Sequence, residues 1–127
     1  MPIWGLAVVG TALGLVYMAG QYVVRRRFAQ AKAQCVGEGF TDFRDSFQDL
    51  IPEERLREIY VYFQHCAGDP GFPVRRTDSL LKLYGIVDDD IDRMVEKLAQ
   101  RTQQEPAKSW TRSQLENVGD VALLFAS

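Results

Sequence analysis

Metal and disulfide chemistry have almost nothing to work with in this 127-residue chain. It holds one histidine, His65, and two cysteines, Cys35 and Cys66, with no Cys-x-x-Cys pair. A structural zinc site needs about four such ligands at close spacing, so almost no zinc chemistry is left. Two distant cysteines make no disulfide framework, and a cytoplasmic placement would keep them reduced. No segment alternates apolar and polar residues as a half-buried strand does, and no internal repeat or low-complexity tract is present. His65 and Cys66 are adjacent, so on a helix their side chains diverge by about 100° and form no nucleophile–base pair. The expectation is an all-α protein that is not an enzyme and holds no metal.

Charge is missing from the first 24 residues altogether. Ile3 to Val24 is dominated by Ile, Leu, Val, Ala, Gly and aromatics, and as a helix it would run roughly 33 Å, enough for a hydrocarbon core of about 30 Å. Arg25, Arg26 and Arg27 follow immediately. A cleaved leader would carry its positive charge before a shorter apolar run. The pattern therefore predicts one N-terminal transmembrane helix in a single-pass membrane protein. Arg25, Arg26 and Arg27 set its orientation, with the N-terminus outside and the C-terminal domain cytoplasmic. Trp4 and Tyr22 stand where interfacial aromatics often lie. Gly10 and Gly14 form a G-x-x-x-G pair that either supports a homodimer or reflects how common glycine is in such helices.

The remainder is acidic. Removing Arg25–Arg27 from the 15 basic residues leaves 12 against 17 acidic ones, a net charge of −5 for residues 28–127. Nucleic-acid binding rests on neutralising phosphates, so that class is excluded and a partner with a basic surface is favoured.

Residues 28–50 read as a juxtamembrane helix to Cys35, a break at Gly37 and Gly39, and a short helix capped by Thr41 with Phe40, Phe43, Phe47 and Leu50 inward. Residues 51–127 read as the main helical domain. Pro52 opens a helix with Glu53 and Glu54 in its first turn, and Leu56, Ile59, Tyr60, Phe63 and Cys66 form its stripe. Gly68 to Pro73 ends it. Thr77 or Asp78 caps a short helical turn, Ser79 to Leu83, which Gly85 stops. A long helix runs from Asp88 or Asp89 to Arg101 on Ile91, Met94, Val95 and Leu98. Pro106 lies in a loop, and a last helix from Thr111 or Arg112 to Phe125 turns Leu115, Val118, Val121, Ala122 and Phe125 inward. Arg75 and Arg76 form a small basic patch, read as a solvated loop before a phosphate site.

Three of these helices resemble helices one, two and four of the acyl carrier protein family. Pro52 to Ile59 resembles the start of the first helix. Leu80-Leu81-Lys82-Leu83-Tyr84-Gly85 is similar to the hydrophobic turn before the carrier's attachment site. Asn117-Val118-Gly119-Asp120-Val121 resembles the opening of the last helix. Glu53 lies 35 residues before Asp88, and Asp88 lies 30 before Val118, spacings similar to a carrier's. The resemblance covers roughly residues 50 to 126 and implies an acyl-carrier-like bundle of three longer helices and shorter segments.

The resemblance fails at one chemical point. Where a carrier has the serine that bears phosphopantetheine, this chain has Asp88. A carboxylate would form a mixed anhydride with phosphate, which water destroys, so Asp88 cannot hold the arm; it can cap the helix. Asp78-Ser79-Leu80 spells the carrier's tripeptide, so the alternative is a working carrier with phosphopantetheine on Ser79. The acidic run Asp88, Asp89, Asp90 and Asp92 is either a solvated helix end or, as the resemblance implies, a docking face for a basic partner. An EF-hand reading fails, because Arg93 and Ala99 stand where Gly and Glu are needed. The leading expectation is a membrane-anchored, carrier-like interaction module that is not acylated. The third alternative is a small accessory subunit of a membrane complex assembled through Gly10 and Gly14.

Overall fold

The computed structural model describes residues 3–126, with side chains from residue 14 onward. Five α-helices and one 3₁₀ turn follow one another: α1 (Ile3–Gln34), α2 (Phe40–Asp45), α3 (Glu53–Cys66), α4 (Asp88–Thr102), the 3₁₀ turn (Arg112–Gln114) and α5 (Val118–Leu123). Among the described residues there is no strand, and the all-α expectation holds. The chain divides into two compact units between Gln34 and Cys35, inside the segment read as juxtamembrane helix and hinge.

The first unit is α1. It continues past the arginines to Gln34, as the Ala-, Gln- and Lys-rich sequence implies. The transmembrane expectation is overturned: among the described residues no helix is long and apolar enough to cross a membrane. Among the described side chains of α1, Gln21 and the run Arg25–Arg27 break the apolar stretch. The single-pass topology, its cytoplasmic C-terminal domain and the orienting role of Arg25, Arg26 and Arg27 fall with it. Trp4 and Gly10 lie outside the described side chains, and Gly14 faces open space.

The second unit is built on α3 against α4, with α2 on α3 and the 3₁₀ turn on α4. Leu56, Ile59, Tyr60 and Phe63 of α3 are buried, as are Ile91, Met94, Val95 and Leu98 of α4. These are the stripes that helical spacing demands. The aromatic residues of α2 close one end: Phe43 lies 5.1 Å from Phe47 and 5.3 Å from Tyr60, ring centre to ring centre. Leu50 is exposed and Ile51 is buried in its place, because Gln48 and Asp49 take positive φ and turn the chain. Gly39, not Thr41, caps α2, and its N–H donates to the Asp42 carboxylate at 2.9 Å.

Two expected helices are shorter or absent. Ser79 to Leu83 is a set of turns, because Ser79 is drawn into an isolated antiparallel bridge with Asn117. Leu80 N–H donates to Glu116 C=O at 3.0 Å and Val118 N–H to Asp78 C=O at 3.0 Å. The single last helix is a 3₁₀ turn and the short α5. Two capping boxes account for the split: Thr111 with Gln114, and Asn117 with Asp120, each begin a new segment. The five inward residues of that region, Leu115, Val118, Val121, Ala122 and Phe125, are nevertheless all buried.

The Arg75 guanidinium grips Glu38 through two bonds, Nε to Oε2 at 2.6 Å and Nη2 to Oε1 at 2.8 Å. That bond to Arg75 holds the Glu38 carboxyl below its usual range. A depressed carboxylate contributes stability above its unfolded pKa and loses it as pH falls through the folded one. Glu38→Gln is therefore expected to lower the urea midpoint modestly at pH 7. The difference should shrink as pH falls through the folded-state pKa of Glu38, where the carboxyl takes up its proton. A difference that does not shrink on acidification would refute this assignment.

Candidate functional site

The site is a groove of about 750 Å³ between the 79–87 segment, the start of α4 and the 112–117 segment. Leu80, Leu81, Ile86, Val87, Ile91 and Leu115 supply its apolar lining, and Ser79, Lys82, Asp88, Arg112, Glu116 and Asn117 its polar one. The volume is within the roughly 300–1,000 Å³ usual for binding pockets. Leu80, Ile91 and Leu115 are buried, whereas Leu81 and Val87 are 60% and 48% exposed on the rim.

The walls are set by bonds that reach far along the sequence. The Ser79–Asn117 bridge joins one wall to the other. Behind it, Asp78 Oδ2 accepts from Arg75 N–H at 2.8 Å and from the Tyr84 hydroxyl at 3.2 Å. Burial pushes the Asp78 carboxyl up, partly offset by those two donors. Burial also raises the Tyr84 hydroxyl, whose ring packs 5.0 Å from Phe63 and 6.3 Å from Phe72. Asn117 Oδ1 accepts Asp120 N–H at 2.9 Å, while Asp120 Oδ2 accepts Glu116 N–H at 2.9 Å and Asn117 N–H at 3.2 Å. The 115–117 wall is thereby fixed to the start of α5.

The structure brings to this groove both Ser79, the alternative attachment residue, and Asp88, which stands where the resemblance puts the carrier serine. Ser79 lacks the helix-start position that the resemblance gives the carrier serine, and Asp88 is not the cap expected of it. Ser79 starts no helix; its Oγ accepts Lys82 N–H at 3.0 Å within a turn. Asp88 is the first helical residue and not the cap. The cap is Val87 in extended conformation, with no side-chain bond, and its carbonyl accepts Asp90 N–H at 2.9 Å. The capping role read into Asp88 is corrected accordingly.

The acidic run is not uniform. Asp88, Asp89 and Asp90 are exposed in the first turn of α4, with no ion pair within 4.0 Å among the described residues. Asp92 is committed internally: Arg112 of the 3₁₀ turn donates to both its oxygens, Nε to Oδ1 at 3.3 Å and Nη2 to Oδ2. That pairing raises the Arg112 pKa. Among the described residues no group of three or more His, Cys, Asp or Glu side chains could hold a metal ion.

Arg75 and Arg76 are not a solvated patch. Arg75 holds Glu38, and Arg76 donates to Ser46 C=O at 2.6 Å with its guanidinium 4.8 Å from the Phe47 ring centre. His65 and Cys66 are both exposed at the end of α3. Sequence reasoning missed Arg112, Glu116 and Asn117 as parts of the site. No sequence signal marks them, since folding alone places them beside the acidic turn.

Comparison with known proteins identifies no relative: no family model, no curated protein and no solved structure matches the chain.

Proposed function

We propose that the second unit is an acyl-carrier-like interaction module, not itself acylated, that docks a basic protein surface at the start of α4. Asp88, Asp89 and Asp90 make the charged contacts, and Asp92 is held by Arg112 as part of the frame. The observation that carries this reading is the row of three exposed, unpaired carboxylates on the rim of an open groove. Carboxylates in a helix's first turn are stabilised by the helix dipole, typically by about 0.3–1 kcal/mol each, yet they repel one another. One or two would serve stability; three in succession favour a cationic partner. The phosphopantetheine alternative at Ser79 has no comparable support, since Ser79 begins no helix.

The test is quantitative capture on the immobilised full chain. Proteins retained by the parent should be lost from Asp89→Lys/Asp90→Lys by at least about tenfold, and more steeply at low salt. A control reversal on α3, Glu54→Lys/Glu58→Lys, should leave retention unchanged. Equal losses from the two reversals would remove α4 from consideration as the docking element.

A further inference from the structure

We infer that the groove takes a short partner segment in which an apolar side chain is flanked by lysine or arginine. This rests on the docking reading above and specifies what the partner must present. Two independent observations carry it. The first is the floor and rim: Leu80, Ile91 and Leu115 are buried beneath, while Leu81 and Val87 stand largely exposed at the edge. An apolar side chain of leucine size entering there would cover both rim residues and displace water from the floor.

The second observation is the charge around that opening. Asp88 lines the groove, with Asp89 and Asp90 beside it on the same exposed turn, and Glu116 lines it from the 112–117 segment. Of the two lining cations, Arg112 is committed to Asp92 and Lys82 stands alone against this surplus of carboxylates. An anionic tail would meet net repulsion at this rim. Cations flanking an apolar anchor would meet the lining carboxylates Asp88 and Glu116. Rim charges of this kind set orientation and encounter rate, and the apolar anchor sets how long the complex lasts.

The experiment uses the full chain and two synthetic probes read by fluorescence anisotropy. One peptide carries two adjacent leucines between arginines; the other replaces both leucines with serine and keeps every charge. The leucine peptide should bind at least about tenfold more tightly. That advantage should vanish in Leu81→Ser/Val87→Ser, whose changes fall on exposed positions and place serine, a favoured cap, before α4. The serine peptide should weaken on Asp89→Asn/Asp90→Asn and not on Leu81→Ser/Val87→Ser. Equal binding of the two peptides would overturn the groove as an anchor site while leaving carboxylate docking intact. Loss of neither peptide on Asp89→Asn/Asp90→Asn would overturn the docking reading itself. No binding of the leucine peptide, or parent self-association that Leu81→Ser/Val87→Ser abolishes, would also overturn the inference, the latter by assigning the groove to a second copy.

Discussion

Phe63→Ala is expected to destabilise the second unit by about 3–5 kcal/mol. The ring is fully buried on the inward face of α3. It meets Tyr62 edge-on with centroids 5.4 Å apart and Tyr84 at 5.0 Å. Truncation removes apolar contact and leaves a void that the packed interior closes only in part. Domains of this kind are stable by about 5–15 kcal/mol in total, so the variant should lie near its unfolding threshold. Urea unfolding would measure the loss. Val61→Ala, 46% exposed on the same helix, should stay within about 0.5 kcal/mol of the parent. The damage should also reach the groove, since Tyr84 holds the wall through Asp78. A Phe63→Ala loss below about 1 kcal/mol would contradict this packing account.

Gly119→Val carries the second large effect, expected at about 2–3 kcal/mol. Gly119 is buried in the first turn of α5, and its N–H donates to Arg76 C=O at 2.8 Å. A Cβ placed there would lie 3.0 Å from the Arg76 carbonyl oxygen, 3.2 Å from Asn117 Oδ1 and 3.3 Å from Arg76 Cβ. The nearest obstacle is backbone, so no side-chain rotation relieves it. The start of α5 would have to move off the 76–78 turn, weakening the Val118 N–H bond to Asp78 as well. Alanine should cost less, because its helix preference over glycine, about 1 kcal/mol, offsets part of the crowding. Thermal unfolding of both variants checks the order; valine as stable as the parent would mean that the turn yields freely.

The stripes of α3 and α4 were legible because burial on one face imposes a 3.6-residue period that survives any tertiary context. The inward residues from Leu115 to Phe125 were legible for the same reason, but their helix was not. There the Thr111–Gln114 and Asn117–Asp120 pairs bond to backbone more favourably than a continuous helix would allow. Ser79 to Leu83 failed similarly: the Asn117 bridge comes from a distant segment and leaves no local signature. Asp88 has the chemistry of a cap but sits one residue too late, since Val87 takes the extended conformation. Half of the candidate site, the acidic turn, was visible as composition. Arg112 and Glu116 were not, because folding alone places them beside it. In α1 a run of apolar letters suggested a span that the described helix does not provide.

The Ser79–Asn117 bridge also determines how occupancy would be felt by the rest of the unit. The two groove walls lie far apart in the chain and hold their spacing only while Leu80 remains bonded to Glu116 and Val118 to Asp78. An unfolded chain offers no such opposed walls, so a ligand spanning them binds the native state almost alone. Its free energy then adds to global stability, about 2.7 kcal/mol at a hundredfold excess over Kd. Partner concentration would thereby set the lifetime of the whole helical unit against unfolding and proteolysis.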